Sequence, residues 1–158
     1  MGEKMELMLL ADEPLAYKEV ASWYFEQWLS NVSDMTVGRV ESKLATYTNR
    51  DKAPLLMLAK LDGELIGAAE LKIHEMDIYP DYEYWIGGVY VKSSARGEGV
   101  ATRLVQAVIN QAKKFGIKRL YLQTEKLNGG IYSKVGFSLI EHVDYKGHYV
   151  SVMQADLT

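Results

Sequence analysis

Apolar positions recur along this chain with two periods, and the points where the period changes divide it into elements. "MELMLLA" (Met5–Ala11) is an apolar run that reads as a first strand. Asp12-Glu13-Pro14 stops it and suits a helix start with proline in the first turn. Leu15, Val20, Trp23, Tyr24 and Trp28 then fall largely on one helical stripe. "SNVSD" interrupts that stripe, and "MTVGRVESKLATY" (Met35–Tyr47) reads as a second helix, weakened by Gly38. In "APLLMLAKLDGELIGAAELKIHEM" two apolar runs flank Asp62-Gly63, a dipeptide that supplies the positive φ angles of a tight hairpin turn.

The next strand, "EYWIGGVYVK" (Glu83–Lys92), carries Gly87-Gly88 in its interior, which suggests a bulge or a close approach to the backbone. A helix of about four turns follows, with Leu104, Val105, Val108, Ile109 and Ala112 at core spacing and Gly116 as its stop. "KRLYLQTE" is a strand, "GGIYSKVGF" a short helical turn leading into another, and "HYVSVMQADL" a final alternating strand. The order β-α-α-β-β-β-α-β-α-β-β predicts an α/β or α+β sheet with helices packed on it. Neither an internal repeat nor a Pro/Gly/Ser linker divides the 158 residues, so one domain is expected.

Composition narrows the chemistry. The absence of cysteine excludes disulfides, thiolate catalysis and cysteine-ligated metals. His74, His142 and His148 lack the spacing of a helical zinc site, and no metal is expected. A net charge of −3 without any basic block argues against nucleic-acid binding. With neither a signal-peptide pattern nor a membrane-length apolar run, the expectation is a cytoplasmic protein that binds no membrane.

The stretch "VKSSARGEGVATRLVQAVINQA" (Val91–Ala112) has the layout of an anion site: a strand, then Arg96-Gly97-Glu98-Gly99-Val100-Ala101-Thr102, then a helix. Amides at a helix N-terminus point outward, and the helix dipole favours negative charge there. Glycines let a phosphate approach without meeting a Cβ, Arg96 adds a charge-assisted contact, and Thr102 a hydroxyl. The bland reading is a tight turn between strand and helix. A P-loop would need Gly-Lys-Ser/Thr, which does not occur, and a dinucleotide fingerprint would need a third glycine where Thr102 stands.

Two patterns read together go further. Arg96, Gly99 and Ala101 meet Arg/Gln-x-x-Gly-x-Gly/Ala, and Tyr132, Gly136 and Phe137 meet Tyr-x-x-x-Gly-Phe after an intervening strand. At this separation they resemble the GNAT superfamily of acetyl-coenzyme A-dependent N-acetyltransferases, and the element order from Met5 to Leu157 is similar to that fold. The resemblance implies a mixed, mostly antiparallel sheet of about six to seven strands flanked by helices. It implies acetyl-CoA as co-substrate, its pyrophosphate on Arg96 to Thr102 and its pantetheine arm along Val89, Tyr90 and Val91. Gly87-Gly88 would then be a bulge that splays this strand from its neighbour. Tyr132 matches the family's general acid for the departing sulfur, and Asn128 is a further coenzyme contact that the short segment "TEKLNGGIY" makes less regular.

The base stays open among Glu83, Glu75, His74 and water. No glutamate stands at the strand position that some lysine-directed members use; Trp85 takes that place. In the family's layout "HEMDIYPDYEYW" (His74–Trp85) lies beside the acceptor entrance. Its Glu75, Asp77, Asp81 and Glu83, set among Tyr79, Tyr82, Tyr84 and Trp85, would draw in a cationic amine or peptide, with Tyr84 and Trp85 touching it. A solvated acidic loop is the plain alternative. Two other functions remain: a non-catalytic acyl-CoA sensor, which would not need Tyr132, and a nucleotide-binding domain, for which only Glu125 is at hand. The chain is expected as a monomer or homodimer, with "YVSVM" as a sheet edge open to pairing.

Overall fold

The structure, a computed structural model, describes residues 4–158. Seven strands form one sheet: β1 (Met5–Leu9), β2 (Leu55–Leu61), β3 (Glu64–Ile73), β4 (Tyr84–Val91), β5 (Arg119–Thr124), β6 (Ser138–Tyr145) and β7 (His148–Asp156). Their spatial order is β1-β2-β3-β4-β5-β7-β6. Every neighbouring pair is antiparallel except β4 and β5, which run parallel and register at a single pair, Trp85↔Tyr121. Asp62 and Gly63 turn the β2–β3 hairpin with φ of 49° and 84°, the mirror-image turn that suits strand twist.

Both faces of the sheet are covered. α3 (Val100–Lys114) lays Leu104, Val105, Val108 and Ala112 on one face, against Met57, Leu71, Ile86 and Leu120. α1 (Tyr17–Tyr24) and α2 (Val37–Leu44) cover the other with Val20, Tyr24, Val40 and Leu44, against Leu56, Leu58 and Ala68. A strand buried on both sides needs apolar residues at every position, which is why Leu55 to Ala59 reads as an unbroken apolar run. Thr36 caps α2 by accepting from the Arg39 amide at 3.2 Å.

Some expectations change. β1 ends at Leu9, because Leu10–Asp12 turns into a 3₁₀ segment. The first helical stripe is interrupted at both ends: Pro14–Ala16 is 3₁₀ and Phe25–Leu29 is a π turn. With the 3.6-residue period broken, Leu15 (78% exposed) and Trp28 (46% exposed) leave the core stripe that holds Val20 and Tyr24. β7 is an interior strand paired on both sides, so the edge at this end of the sheet belongs to the shorter and more polar β6.

Candidate active site

The register of β3 and β4 slips beside the paired glycines. Ala68 faces Tyr90 and Glu70 faces Gly87, so Gly88 and Val89 stand opposite Ala69 alone, which is a β-bulge. Gly88 has φ +56° and packs against two side chains of the α1/α2 face. A Cβ there would collide with the Glu70 carboxylate and lie 2.7 Å from the Tyr24 hydroxyl. That hydroxyl donates to the Gly88 carbonyl at 2.5 Å and pins the bulge to α1.

Sequence reasoning missed Glu70. It is nearly fully buried, with Tyr47 beside it and Lys72 and Lys43 near enough to act on its charge. Burial raises its carboxyl above the ordinary carboxylate range, against the opposing pull of Lys72 and Lys43. Burial and the Glu70 charge push Tyr47 up to about 12 and raise Tyr24 well above its usual value. The residue was hidden because "AAELK" looks like an ordinary strand until the bulge is aligned with it. The one available signal was a lone carboxylate inside an otherwise apolar run.

On the α3 face the glycine loop has the geometry of an anion cradle. Gly97 and Gly99 adopt φ of 85° and 78°, and a Cβ on either would meet nothing within 4 Å, so the space in front of them is open. Gly99 caps α3, and among the described residues the amides of Gly97, Glu98, Gly99, Val100, Ala101 and Thr102 find no protein acceptor. A pyrophosphate fits such a surface. Arg96 folds back from it: its Nε donates to the Val91 carbonyl at 2.8 Å, and its guanidinium lies 5.7 Å from the centre of the Tyr90 ring. The Tyr90 ring is also stacked on Trp23, with 5.0 Å between ring centres. Asn128 uses its side-chain oxygen within its own turn, accepting from the Gly130 amide at 3.0 Å.

Beyond Trp85↔Tyr121 no backbone pairing joins β4 to β5, so their facing edges are left unpaired by one another. Tyr132, in the 3₁₀ turn Gly130–Lys134, packs into the α3-side core edge-on to Phe137. Burial, and secondarily the charge of Glu75, push its phenol up to about 12, so it is protonated at neutral pH. Glu75 Oε1 accepts from Lys72 Nζ at 2.6 Å and Oε2 from Gln123 Nε2 at 3.2 Å. Burial alone would lower Lys72, but Glu70 and Glu75 outweigh it and hold the ammonium charged. His74 and Glu83 are exposed and face each other through the His74 amide and Glu83 carbonyl, at the opposite end of β4 from the bulge.

The acidic aromatic loop is a strap across the sheet. Tyr79 stacks on Tyr82 at 4.9 Å and Tyr82 on Tyr121 at 4.0 Å. Tyr79 also donates to Glu141, and Tyr145 to Asp77, which ties the loop to β6. Trp85, expected at an acceptor, is instead fully buried under this stack, its indole N–H donating to the Tyr82 carbonyl at 2.6 Å. Tyr84 points to the other face, half-buried against the α3-side core. Rings that stack inward bury more apolar area than rings left open to solvent, which explains their orientation. Among the described residues no group of three or more His, Asp or Glu side chains is placed to hold a metal, and no helix is long and apolar enough to cross a membrane.

Residues 10–137 match the model of the acetyltransferase (GNAT) family. An Escherichia coli K12 protein described as the uncharacterized N-acetyltransferase YjgM is 32% identical over 94 residues, covering 56% of this chain and about half (52%) of that relative's length. A GNAT-family acetyltransferase from Streptococcus pneumoniae superposes with a TM-score of 0.74 at 18% identity, over 98% of this chain and 100% of that one. The acetyltransferase yncA from Salmonella typhimurium, described as putative and solved with its cofactor acetyl-CoA, gives 0.73 at 15% identity, over 98% and 94%. With the splayed strands, the bulge and the glycine cradle in place, the match across most of its length settles the matter: the chain belongs to the GNAT acetyltransferase family.

Proposed function

We propose that the protein is an N-acetyltransferase that moves an acetyl group from acetyl-CoA directly to a primary amine of a small molecule or peptide. The observation that carries this reading is the end of the β4–β5 ladder at Trp85↔Tyr121, which leaves room for a slot between the strands, with the open glycine cradle on one face and a buried carboxylate, Glu70, on the other. Bound acetyl-CoA supplies an activated thioester. The amides of Gly97 to Thr102 would hold its pyrophosphate, Arg96 would release Val91 to join them, and the unpaired β4 edge at Val89 and Val91 would align the arm.

The amine must reach the slot neutral. Glu70 is the base we assign, because it borders Gly88 and its raised carboxyl lies nearer the working pH of a general base. Glu83 lies five residues before Gly88, about 16 Å away along a strand, and His74 lies beside Glu83. Tyr132, kept protonated by its burial, would donate to the departing sulfur. Alignment of amine and carbonyl supplies much of the remaining acceleration. A cationic acceptor draws its support from Asp81 and Glu83, which remain exposed on the strap. The sensor alternative has no use for a protonated Tyr132 beside the slot.

The test is release of free thiol from acetyl-CoA against a panel of amines, polyamines, aminoglycosides and peptide N-termini. Tyr132→Phe should lower turnover about 10²-fold or more with acetyl-CoA affinity retained. If no amine in the panel promotes thiol release while acetyl-CoA binds, the sensor reading replaces the enzyme.

A further inference from the structure

We propose that Glu75 is a positioning residue whose carboxylate clasps β3 to β5 across the face of β4, fixing the width of the slot where the acetyl group is transferred. The inference rests on the acetyltransferase reading above. Gly87 and Gln123 each stand two residues beyond the last pair, Trp85↔Tyr121, at the first step where backbone pairing no longer sets the distance between the parallel strands. The clasp sits at that step. Lys72 Nζ, from β3, donates to Glu75 Oε1 at 2.6 Å, and Gln123 Nε2, from β5, donates to Oε2 at 3.2 Å.

Gly87 lies beneath and leaves room for the crossing: a Cβ there would stand 2.8 Å from Lys72 Cδ and 2.9 Å from Glu75 Oε1. The side chains of Lys72 and Glu75 are only 17% and 13% exposed, so both are held by packing as well as by charge. Tyr132 approaches the same slot from the α3 face, near enough for Glu75 to act on its phenol. Glu75 thus closes one wall of the slot, with Tyr132 against the other. A carboxylate with both oxygens engaged, one by an ammonium held charged, is suited to holding strands and not to taking a proton.

The two roles separate by substitution. Glu75→Gln keeps the clasp: its amide oxygen accepts from Lys72, and its amide N–H donates to Gln123 once that side chain flips. Glu75→Ala and Gln123→Leu each break it. A displacement of an ångström at a reacting centre costs up to about 10²-fold. The expected result is therefore a kcat about 10- to 100-fold lower for Glu75→Ala and Gln123→Leu, and within about 3-fold of the parent for Glu75→Gln. The Glu75→Ala/Gln123→Leu double variant should be no slower than the slower single one, and Kd for acetyl-CoA by calorimetry should change little in any of them.

If Glu75→Gln falls as far as Glu75→Ala, Glu75 moves a proton and the positioning role is wrong. If Gln123→Leu keeps full turnover, or if all the variants lose melting temperature without losing kcat, the clasp does not set the slot. Should Glu75→Ala fail to fold, Gln123→Leu and Glu75→Gln still decide between these outcomes. Thiol release by the parent protein is the control: its absence with every amine sinks the acetyltransferase reading and this one with it, whereas release that Gln123→Leu leaves untouched sinks only this one.

Discussion

Gly88 is where the backbone, the buried Glu70 carboxylate and α1 meet. Its φ of +56° is strained for any residue with a Cβ, and that Cβ would enter the space of Glu70 and the Tyr24 hydroxyl. Gly88→Ala is therefore expected to cost about 1–3 kcal/mol in urea unfolding and to depress turnover; an Ala variant with parental midpoint and rate would mean the bulge relaxes freely. Glu70 makes a second, pH-dependent prediction. Its carboxyl is raised by burial, so the folded protein holds that proton more tightly than the unfolded chain. Glu70's contribution is most favourable below the unfolded value and is lost as pH rises through the folded one. Glu70→Gln mimics the protonated form, so its stability should match the parent at pH 4 and exceed it progressively toward neutrality, while turnover collapses. A stability gap that stays constant between the two pH values would show that Glu70 does not titrate as described. The sequence made Tyr132 and Arg96 legible because each sits in a local pattern, whereas Glu70 acquires meaning only through its register against a bulge 18 residues downstream.

At the scale of elements, α3 with its leading loop is a unit whose sequence and geometry agree. The glycines adopt left-handed φ, the amides from Gly97 to Thr102 find no acceptor among the described residues, and the core stripe of the helix is the one its spacing announced. Gly99→Val would both strain φ +78° and fill the open space before the helix, so acetyl-CoA binding by calorimetry should vanish while far-ultraviolet circular dichroism is kept. Arg96→Ala should weaken binding by about 1.5–3 kcal/mol, the range of a charge-assisted hydrogen bond. Retention of full affinity in a folded Gly99→Val protein would move the cradle elsewhere. The Asp62-Gly63 hairpin was equally plain, because a tight turn is specified by its own two residues. The ends of α1 were not, since the switches to 3₁₀ and π turns follow from docking on the sheet and leave no mark in the apolar period. The inward packing of the strap from His74 to Trp85 is hidden from the sequence for the same reason. Tyr82, Tyr79 and Asp77 look available in sequence, but their partners Tyr121, Glu141 and Tyr145 lie 39, 62 and 68 residues away, beyond the reach of any local pattern.

The whole molecule is a sheet with a different set of candidate groups on each face. The cradle, α3 and Tyr132 lie on one side, Glu70, Tyr24 and Glu75 on the other, and β4 parts from β5 between them. On the proposed reading, donor and acceptor would approach from opposite sides and be present together. The chain contains no cysteine, and Tyr132, the hydroxyl packed beside the slot on the α3 face, is kept protonated by burial and is a poor nucleophile. These features favour the direct transfer in a ternary complex proposed above, which makes a kinetic prediction. With the best amine from the panel, double-reciprocal plots at several fixed acetyl-CoA concentrations should intersect. Protein mixed with acetyl-CoA alone should release no stoichiometric burst of thiol, and its intact mass should not rise by an acetyl group. Parallel lines accompanied by a one-equivalent burst would establish an acetyl-enzyme, and the two-faced arrangement would then serve sequential visits to the slot in place of a meeting within it.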